Sequence, residues 1–138
     1  MYLIDTNVIS EARKGVNGNR GVRDFFRRAS KEGAQLFISV ITLGEIRRGI
    51  EKIRHRGDEK QAKLLEKWLH GLHSDYVENI LSLDEDVAEV WGRLRVPNHE
   101  HAIDKQIAAT ALIHDLTVVT RNVDDFVGCG VRLLNPFD

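Results

Sequence analysis

Acidic residues in three separate motifs are the side chains of this sequence best suited to chemistry. Asp5 lies in LIDTNVISE, Glu45 in ITLGEIRRG, and Asp104 in IDKQIAATALIHDLTVVTRN. Carboxylates gathered at one point repel one another and raise each other's pKa, unless a cation keeps them ionised. A hard divalent ion with oxygen ligands, Mg²⁺ or Mn²⁺, is the natural occupant of such a site.

Two further polar residues are candidates for completing that set of ligands. Asn122 and Asp125 lie in a short polar turn that follows Thr117 to Thr120. The amide of Asn122 can offer a carbonyl oxygen but brings no negative charge, so Asp125 could supply a carboxylate directly or through water. The sequence leaves the fourth ligand open between these two residues.

A divalent ion bound in this way would have free coordination positions for a substrate. It can polarise a phosphate, orient a water for in-line attack and stabilise the departing oxygen. The matching reaction is phosphodiester hydrolysis by metal-activated water. The same acids would suit one ion or two ions about 4 Å apart.

Short apolar strands and amphipathic helices alternate along the chain and must position these acids. Strands are predicted at Tyr2 to Ile4, Leu36 to Ser39, Asn79 to Leu83 and Thr117 to Thr120, with a last apolar stretch at Val131 to Leu134. Helices are predicted after Asp5 to about Lys14, at Val22 to Lys31, Ile41 to Arg54 and Glu59 to Tyr76, after Asp84 to about Leu94, and at Ile103 to His114. This alternation indicates an α/β domain with a mainly parallel central sheet flanked by helices, because parallel neighbours need a crossover of helical length.

The carboxyl ends of the strands are the expected place of the site. In open parallel sheets, ligands bind beyond those ends, where the strand order reverses. Asp5 follows the first strand, Glu45 lies in the first helical turn after the second strand, and Asn122 follows the Thr117 to Thr120 strand. Asp104 begins a helix that precedes a strand, so the order of elements permits its presence at this edge without requiring it.

Length and composition limit the kinds of protein that the chain can be. Its 138 residues suit a single domain, 1–138, with its own core. The single cysteine excludes an internal disulfide, and no Cys/His grouping has zinc-ligand spacing. No stretch approaches the ~20 apolar residues of a membrane span, and Asp5 interrupts the run that a signal peptide would need, so we expect a cytoplasmic protein without membrane association. Lys and Arg number 20 against 21 Asp and Glu, so net charge does not indicate nucleic-acid binding.

The three acidic motifs, with DDF near the C-terminus, resemble in order and spacing those of the PIN-domain family, in particular its VapC-like and FitB-like toxin ribonucleases. The resemblance covers nearly the whole chain. It implies a PIN-like fold with Asp5, Glu45 and Asp104 as the characteristic metal-site acids, and with Thr6 hydrogen-bonded within the site. Many relatives have an aspartate where this chain has Asn122.

The same resemblance implies a biological role. It suggests an Mg²⁺- or Mn²⁺-dependent endoribonuclease that acts on structured RNA such as transfer RNA, as the toxin of a type II toxin-antitoxin system. Such toxins are usually homodimers and are inhibited by a small cognate antitoxin. The antitoxin binds DNA, so operator DNA would be reached only through it.

Structural roles could account for single residues of this set. Thr42 and Glu45 match a helix capping box, Asp5 could cap the first helix, and Asp104 could be a first-turn acid favoured by the helix dipole. The segment His99 to His101 indicates a solvated loop, because adjacent residues do not share a face. The basic run from Arg47 to Arg56 favours a solvated helix face over a phosphate track for RNA.

Two other functions compete with the nuclease hypothesis. A phosphatase or phosphotransferase with an aspartyl-phosphate intermediate would want a second aspartate two residues after Asp5, where this chain has Asn7. A catalytically silent PIN-like module that binds RNA or protein would result if the neutral Asn122 leaves too weak a metal site.

Overall fold

A parallel sheet of five strands forms the centre of the computed structural model, which describes all 138 residues. The strands are β1 (Tyr2–Ile4), β2 (Leu36–Ser39), β3 (Ile80–Leu81), β4 (Thr117–Val119) and β5 (Leu133–Leu134). Their order is β3-β2-β1-β4-β5, and every neighbouring pair is parallel. The predicted α/β class with a mainly parallel sheet is therefore confirmed.

Six helices surround the sheet, and each corresponds to a predicted one with ends shifted by at most two residues. They are α1 (Thr6–Ala12), α2 (Arg20–Glu32), α3 (Val40–His55), α4 (Glu59–Asp75), α5 (Glu85–Leu94) and α6 (Ala102–His114). Short 3-10 turns occupy Gly15–Asn17 and Val123–Phe126. None of the helices has both the length and the apolar composition that crossing a membrane requires.

The start of α3 differs from the capping-box interpretation of Glu45. Ser39 is the N-cap, and its hydroxyl accepts a hydrogen bond from the Ile41 N–H at 3.0 Å. Thr42 therefore lies inside the first turn, where it is fully buried. Glu45 lies one turn further along the helix than expected, and its carboxylate is free of any capping role.

Both faces of the sheet are buried, because helices cover each of them. Successive side chains of a strand point to opposite faces, so neighbouring residues belong to different clusters. Ile4 and Val119 belong to a cluster that α1, α2, α3 and α4 complete. Their neighbours Leu3 and Val118 belong to a second cluster that α6 completes. All four residues are 0 % exposed. This burial holds β1 and β4 side by side and so fixes the positions of the polar residues that follow them.

The C-terminal segment closes against the beginning of α2. Asp138 forms an ion pair with Arg20 at 2.9 Å, and its backbone N–H donates to the Asn19 side chain at 3.0 Å. The two segments approach so closely that a Cβ atom on Gly21 would lie 2.2 Å from the Pro136 carbonyl oxygen. Only glycine at this position allows that contact.

We predict that Gly21→Ala lowers the free energy of unfolding by about 1–3 kcal/mol, because the C-terminal segment must move away from α2. Gly71→Ala is the matched control: it lies on the exposed side of α4, where a Cβ meets nothing within 4 Å. The control should gain about 0.5–1 kcal/mol from helix propensity. Urea unfolding followed by circular dichroism measures both changes. Unchanged stability of Gly21→Ala would contradict the described contact.

Candidate functional site

Asp5 lies at the point of the sheet where the order of the strands reverses. The chain passes from β1 to β2 on one side of the central strand, whereas β4 pairs with the other side. The backbone N–H of Asp5 donates to the Val119 carbonyl at 2.9 Å, which ties the end of β1 to the end of β4. Asp5 is therefore at the switch point where ligands bind in open parallel sheets.

Asp104 reaches the same edge because of the direction of its helix. Two helices, α5 and α6, connect β3 to β4, and the short link from α6 to β4 makes α6 run antiparallel to that strand and begin at the edge where the strands end. Helix α6 has 13 residues and spans about 20 Å at 1.5 Å per residue, and β4 follows it after two residues. Asp104 lies in its first turn. The fold therefore requires what the order of elements had only permitted.

One cavity brings most of the predicted site residues together. It has a volume of about 290 Å³ and no hydrophobic residue in its lining. Its lining consists of Asp5, Thr6, Asn7, Glu45, Asp104 and Asn122. Asp125 does not line this cavity but lies beside it, where its charge contributes to raising the pKa of both Asp5 and Asp104.

Both carboxylate oxygens of Asp5 have hydrogen-bond donors. The Thr6 N–H donates to Oδ1 at 2.8 Å and the Thr120 hydroxyl donates to Oδ2 at 2.9 Å. Burial raises the pKa of Asp5, and these two hydrogen bonds oppose that rise because they favour the ionised form. Asp5 is also the N-cap of α1, so the capping interpretation is correct and coexists with a place in the cavity.

Thr120 and Asn7 are the residues of this cluster that sequence reasoning missed. The Thr120 hydroxyl accepts from the Asn7 amide at 3.3 Å and from the Asn122 N–H at 3.1 Å. Asn7 in turn accepts from the Arg121 N–H at 3.1 Å. Asn7 is the third residue after β1, so the position that selected Asp5 could have drawn attention to it. Thr120 follows β4 only because this strand ends one residue earlier than predicted. Thr6 does form a hydrogen bond in the site, but through its backbone.

Asp104 carries the largest electrostatic perturbation of the site. Burial and the charges of Asp5 and Asp125 raise the pKa of Asp104 from an ordinary value of 3.8 to about 6. His101 acts in the opposite direction, and Glu45 adds a smaller rise. Ionising Asp104 therefore works against burial and against the repulsion of its neighbours, and a bound cation would relieve both.

Ligand atoms of His101, Asp104 and Asp125 form the tightest group in this region. Nδ1 of His101 and one oxygen of each aspartate all lie within 4.8 Å of one another. The carboxylates of Asp5, Glu45 and Asp104 surround the common cavity in a looser arrangement. The interpretation of His99 to His101 as a solvated loop is thus incomplete, since the spacing from His101 to Asp104 places both on one side of a helical turn.

Part of the basic run on α3 is engaged in ion pairs. Arg47 contacts Glu66 at 2.7 Å, and Arg54 contacts Glu66 at 2.9 Å and Glu59 at 3.0 Å. These contacts fasten α3 to α4. Arg48, Lys52 and Arg56 lie around a separate exposed surface instead. The run therefore does not form one continuous track of free cations leading to the acids.

Comparison with known proteins gives a consistent result over the whole chain. The family model described as "PIN domain" matches residues 2–127. The chain is 32% identical to "Toxin FitB" of Neisseria gonorrhoeae, covering 99% of each chain. It is 28% identical to "VapC ribonuclease Y4jK" of Sinorhizobium fredii, covering 100% of this chain and 99% of the relative.

Solved structures agree with these sequence relatives. The crystal structure of FitAcB from Neisseria gonorrhoeae matches with a TM-score of 0.84 at 32% identity, over 99% of this chain and 98% of the other. A toxin-antitoxin complex from Klebsiella pneumoniae matches with a TM-score of 0.66 at 26% identity, over 100% and 99%. The order of the strands, the edge at which the acids meet and the extent of the family match lead to one conclusion: this chain belongs to the PIN-domain family.

Proposed function

We propose that this chain is a divalent-metal-dependent endoribonuclease, the toxin of a type II toxin-antitoxin pair, which hydrolyses phosphodiester bonds in RNA such as transfer RNA. The observation that carries the proposal is the meeting of Asp5, Glu45 and Asp104, from three different elements, around one cavity without hydrophobic lining. Relatives whose names include toxin and ribonuclease support the same activity.

The donor set around the cavity fits a hard divalent cation. Its side chains offer carboxylate, hydroxyl and amide oxygens, the ligands that Mg²⁺ and Mn²⁺ prefer. Burial and the charges of Asp5 and Asp125 raise the pKa of Asp104, and a bound cation would oppose that rise. We assign Asp5, Glu45 and Asp104 as ligands. Asp125 would complete the set, and the amide oxygen of Asn122 is the neutral alternative.

The chain's own residues prepare the site for catalysis. A bound ion would supply Lewis-acid polarisation of the scissile phosphate and of the attacking water. The Thr120 hydroxyl and the Thr6 N–H hold both oxygens of Asp5 in place before substrate arrives, which reduces the reorganisation that the reaction needs. The amide of Asn122 can donate a hydrogen bond to a phosphate oxygen without adding charge repulsion.

The proposed toxin role implies particular partners for this chain. We propose a small cognate antitoxin as the inhibitor and a homodimer as the toxin assembly, in the cytoplasm. A toxin-antitoxin complex among the structural relatives supports the antitoxin. With 20 basic against 21 acidic residues, the chain has no charge excess for binding DNA by itself, so operator DNA would be reached only through the antitoxin.

The neutral Asn122 in the cavity is the observation that supports a second candidate function, a catalytically silent PIN-like module that binds RNA or protein. Calorimetric titration with Mn²⁺, paired with an RNA cleavage assay on the same preparation, separates the two functions. The enzyme binds the ion and cleaves RNA, whereas the silent module shows neither metal binding nor cleavage.

We predict that Asp5→Asn and Asp104→Asn each reduce RNA cleavage at least about 100-fold, because each change removes a charge from the metal site. Asparagine is also a good N-cap, so Asp5→Asn keeps the beginning of α1. Gel analysis of digested RNA with Mg²⁺ or Mn²⁺ measures cleavage, and circular dichroism measures folding.

Asp58→Asn is the matched control for these variants. It makes the same chemical change at the N-cap of α4, which begins after α3 has crossed to the opposite edge of the sheet. The control should cleave RNA at the rate of the unaltered chain. Full activity of both site variants would refute the assignment of the acids.

The pKa of Asp104 leads to a prediction about stability without metal. Folding raises the pKa of Asp104 from 3.8 to about 6. The protonated carboxyl therefore stabilises the folded state at pH values below 3.8, and this contribution is lost as the pH rises through about 6. Between about pH 4 and about pH 7, Tm of the unaltered chain in chelator should therefore fall relative to Tm of Asp104→Asn, whose amide does not titrate.

Thermal unfolding with chelator across this pH range measures the difference in Tm. Addition of Mg²⁺ at neutral pH is the control, and it should raise Tm of the unaltered chain more than Tm of the variant. A difference in Tm that does not change with pH would show that folding does not raise the pKa of Asp104.

A further inference from the structure

An imidazole lies at the border of the acidic site, on a residue to which the proposed function gives no role. His101 directly precedes α6, and Asp104 follows in the first turn of that helix. Nδ1 of His101 lies 3.8 Å from an oxygen of Asp104 and 3.8 Å from an oxygen of Asp125. These three atoms come from two separate segments, the start of α6 and the 3-10 turn after β4.

The distances are longer than hydrogen bonds, and all three atoms are close enough together to share one cation. A hydrogen bond between an imidazole nitrogen and a carboxylate would require about 2.7–3.2 Å. The ligands of an octahedral ion with bonds of about 2.1 Å lie roughly 3 Å apart when adjacent and roughly 4.2 Å apart when opposite. The separations of 3.8 Å are longer than that adjacent spacing, and rotation of the exposed His101 ring would shorten them. His101 also forms no capping hydrogen bond to α6, and its two contacts of 3.8 Å are too long to be hydrogen bonds, so no hydrogen bond fixes its ring.

We propose that His101 is a ligand of the same divalent cation as Asp104 and Asp125, through Nδ1, and that it gives the site a preference for Mn²⁺ over Mg²⁺. This inference rests on the metal site of the proposed function. Mg²⁺ in proteins takes oxygen ligands almost exclusively, whereas the first-row transition ions accept an imidazole nitrogen. His101 thereby supplies a donor in a site where Asn122 brings no charge.

The surroundings of His101 allow the ring to reach an ion. Its side chain is 53% exposed, so the ring can rotate without disturbing the core. Asp104 is 25% exposed and Asp125 is 36% exposed, which leaves the ion open to solvent on this side. A substrate phosphate could approach from there.

Electron paramagnetic resonance of Mn²⁺ bound to the full chain tests the proposal, at pH 8, since imidazole binds metal only in its neutral form. Spin-echo modulation from a directly bound nitrogen identifies imidazole coordination independently of activity. The test variant is His101→Asn, because His101 has a φ of 56° and asparagine tolerates that left-handed backbone. His99→Gln, in the same exposed loop, is the matched control.

We expect the unaltered chain and His99→Gln to show the nitrogen modulation. We expect His101→Asn to lose it, with a Kd for Mn²⁺ at least about tenfold higher and a Kd for Mg²⁺, measured by competition, that changes much less. Retention of both the modulation and the Mn²⁺ affinity in His101→Asn would overturn the role of His101 and leave an all-oxygen metal site. Failure of the unaltered chain to bind Mn²⁺ at all would overturn the proposed function as well.

Discussion

Burial of neighbouring carboxyl groups at the carboxyl edge of a parallel sheet is the constraint on which the proposed site depends. Asp5 and Asp104 are drawn into a shared cavity, and burial together with neighbouring charge raises the pKa of each. The fold tolerates this because β1 and β4 are buried on both faces, so apolar contacts hold the two strand ends together. Hydrogen bonds from Thr6 and Thr120 stabilise the ionised form of Asp5 against burial.

Two of these residues combine a structural role with the proposed role as metal ligands. Asp5 caps α1 and Asp104 occupies the first turn of α6, where the helix dipole favours a negative charge. Two helix N-termini thus point toward the acidic cavity and offset part of its charge. A capping role therefore does not argue against a role as a metal ligand. The N-terminus of a helix both positions the carboxylate and lowers the free energy of its charged form.

The site is not composed of acidic residues alone. Asn122 takes a neutral place in the cavity, while Asp125 and His101 approach Asp104 from outside it. Asp125, three positions after Asn122, brings a carboxylate oxygen to within 4.8 Å of an Asp104 oxygen. At the proposed metal site, this arrangement would keep the total charge around the ion and change only the kind of donor at the position of Asn122.

Much of this protein could be derived from the sequence, because hydrophobic periodicity and capping residues are local signals. The pattern predicted β1 and β2, all six helices and the α/β class, and strand ends selected Asp5, Glu45 and Asn122. The direction of α6 was the first thing that only the tertiary structure decided, since a crossover helix has a direction only once the strands are known to be parallel. The contacts of Thr120 with Asp5 and of His101 with Asp125 were the second, because they join residues distant in the chain. No local pattern encodes such distances: they arise when the buried sheet brings separate strand ends to one edge.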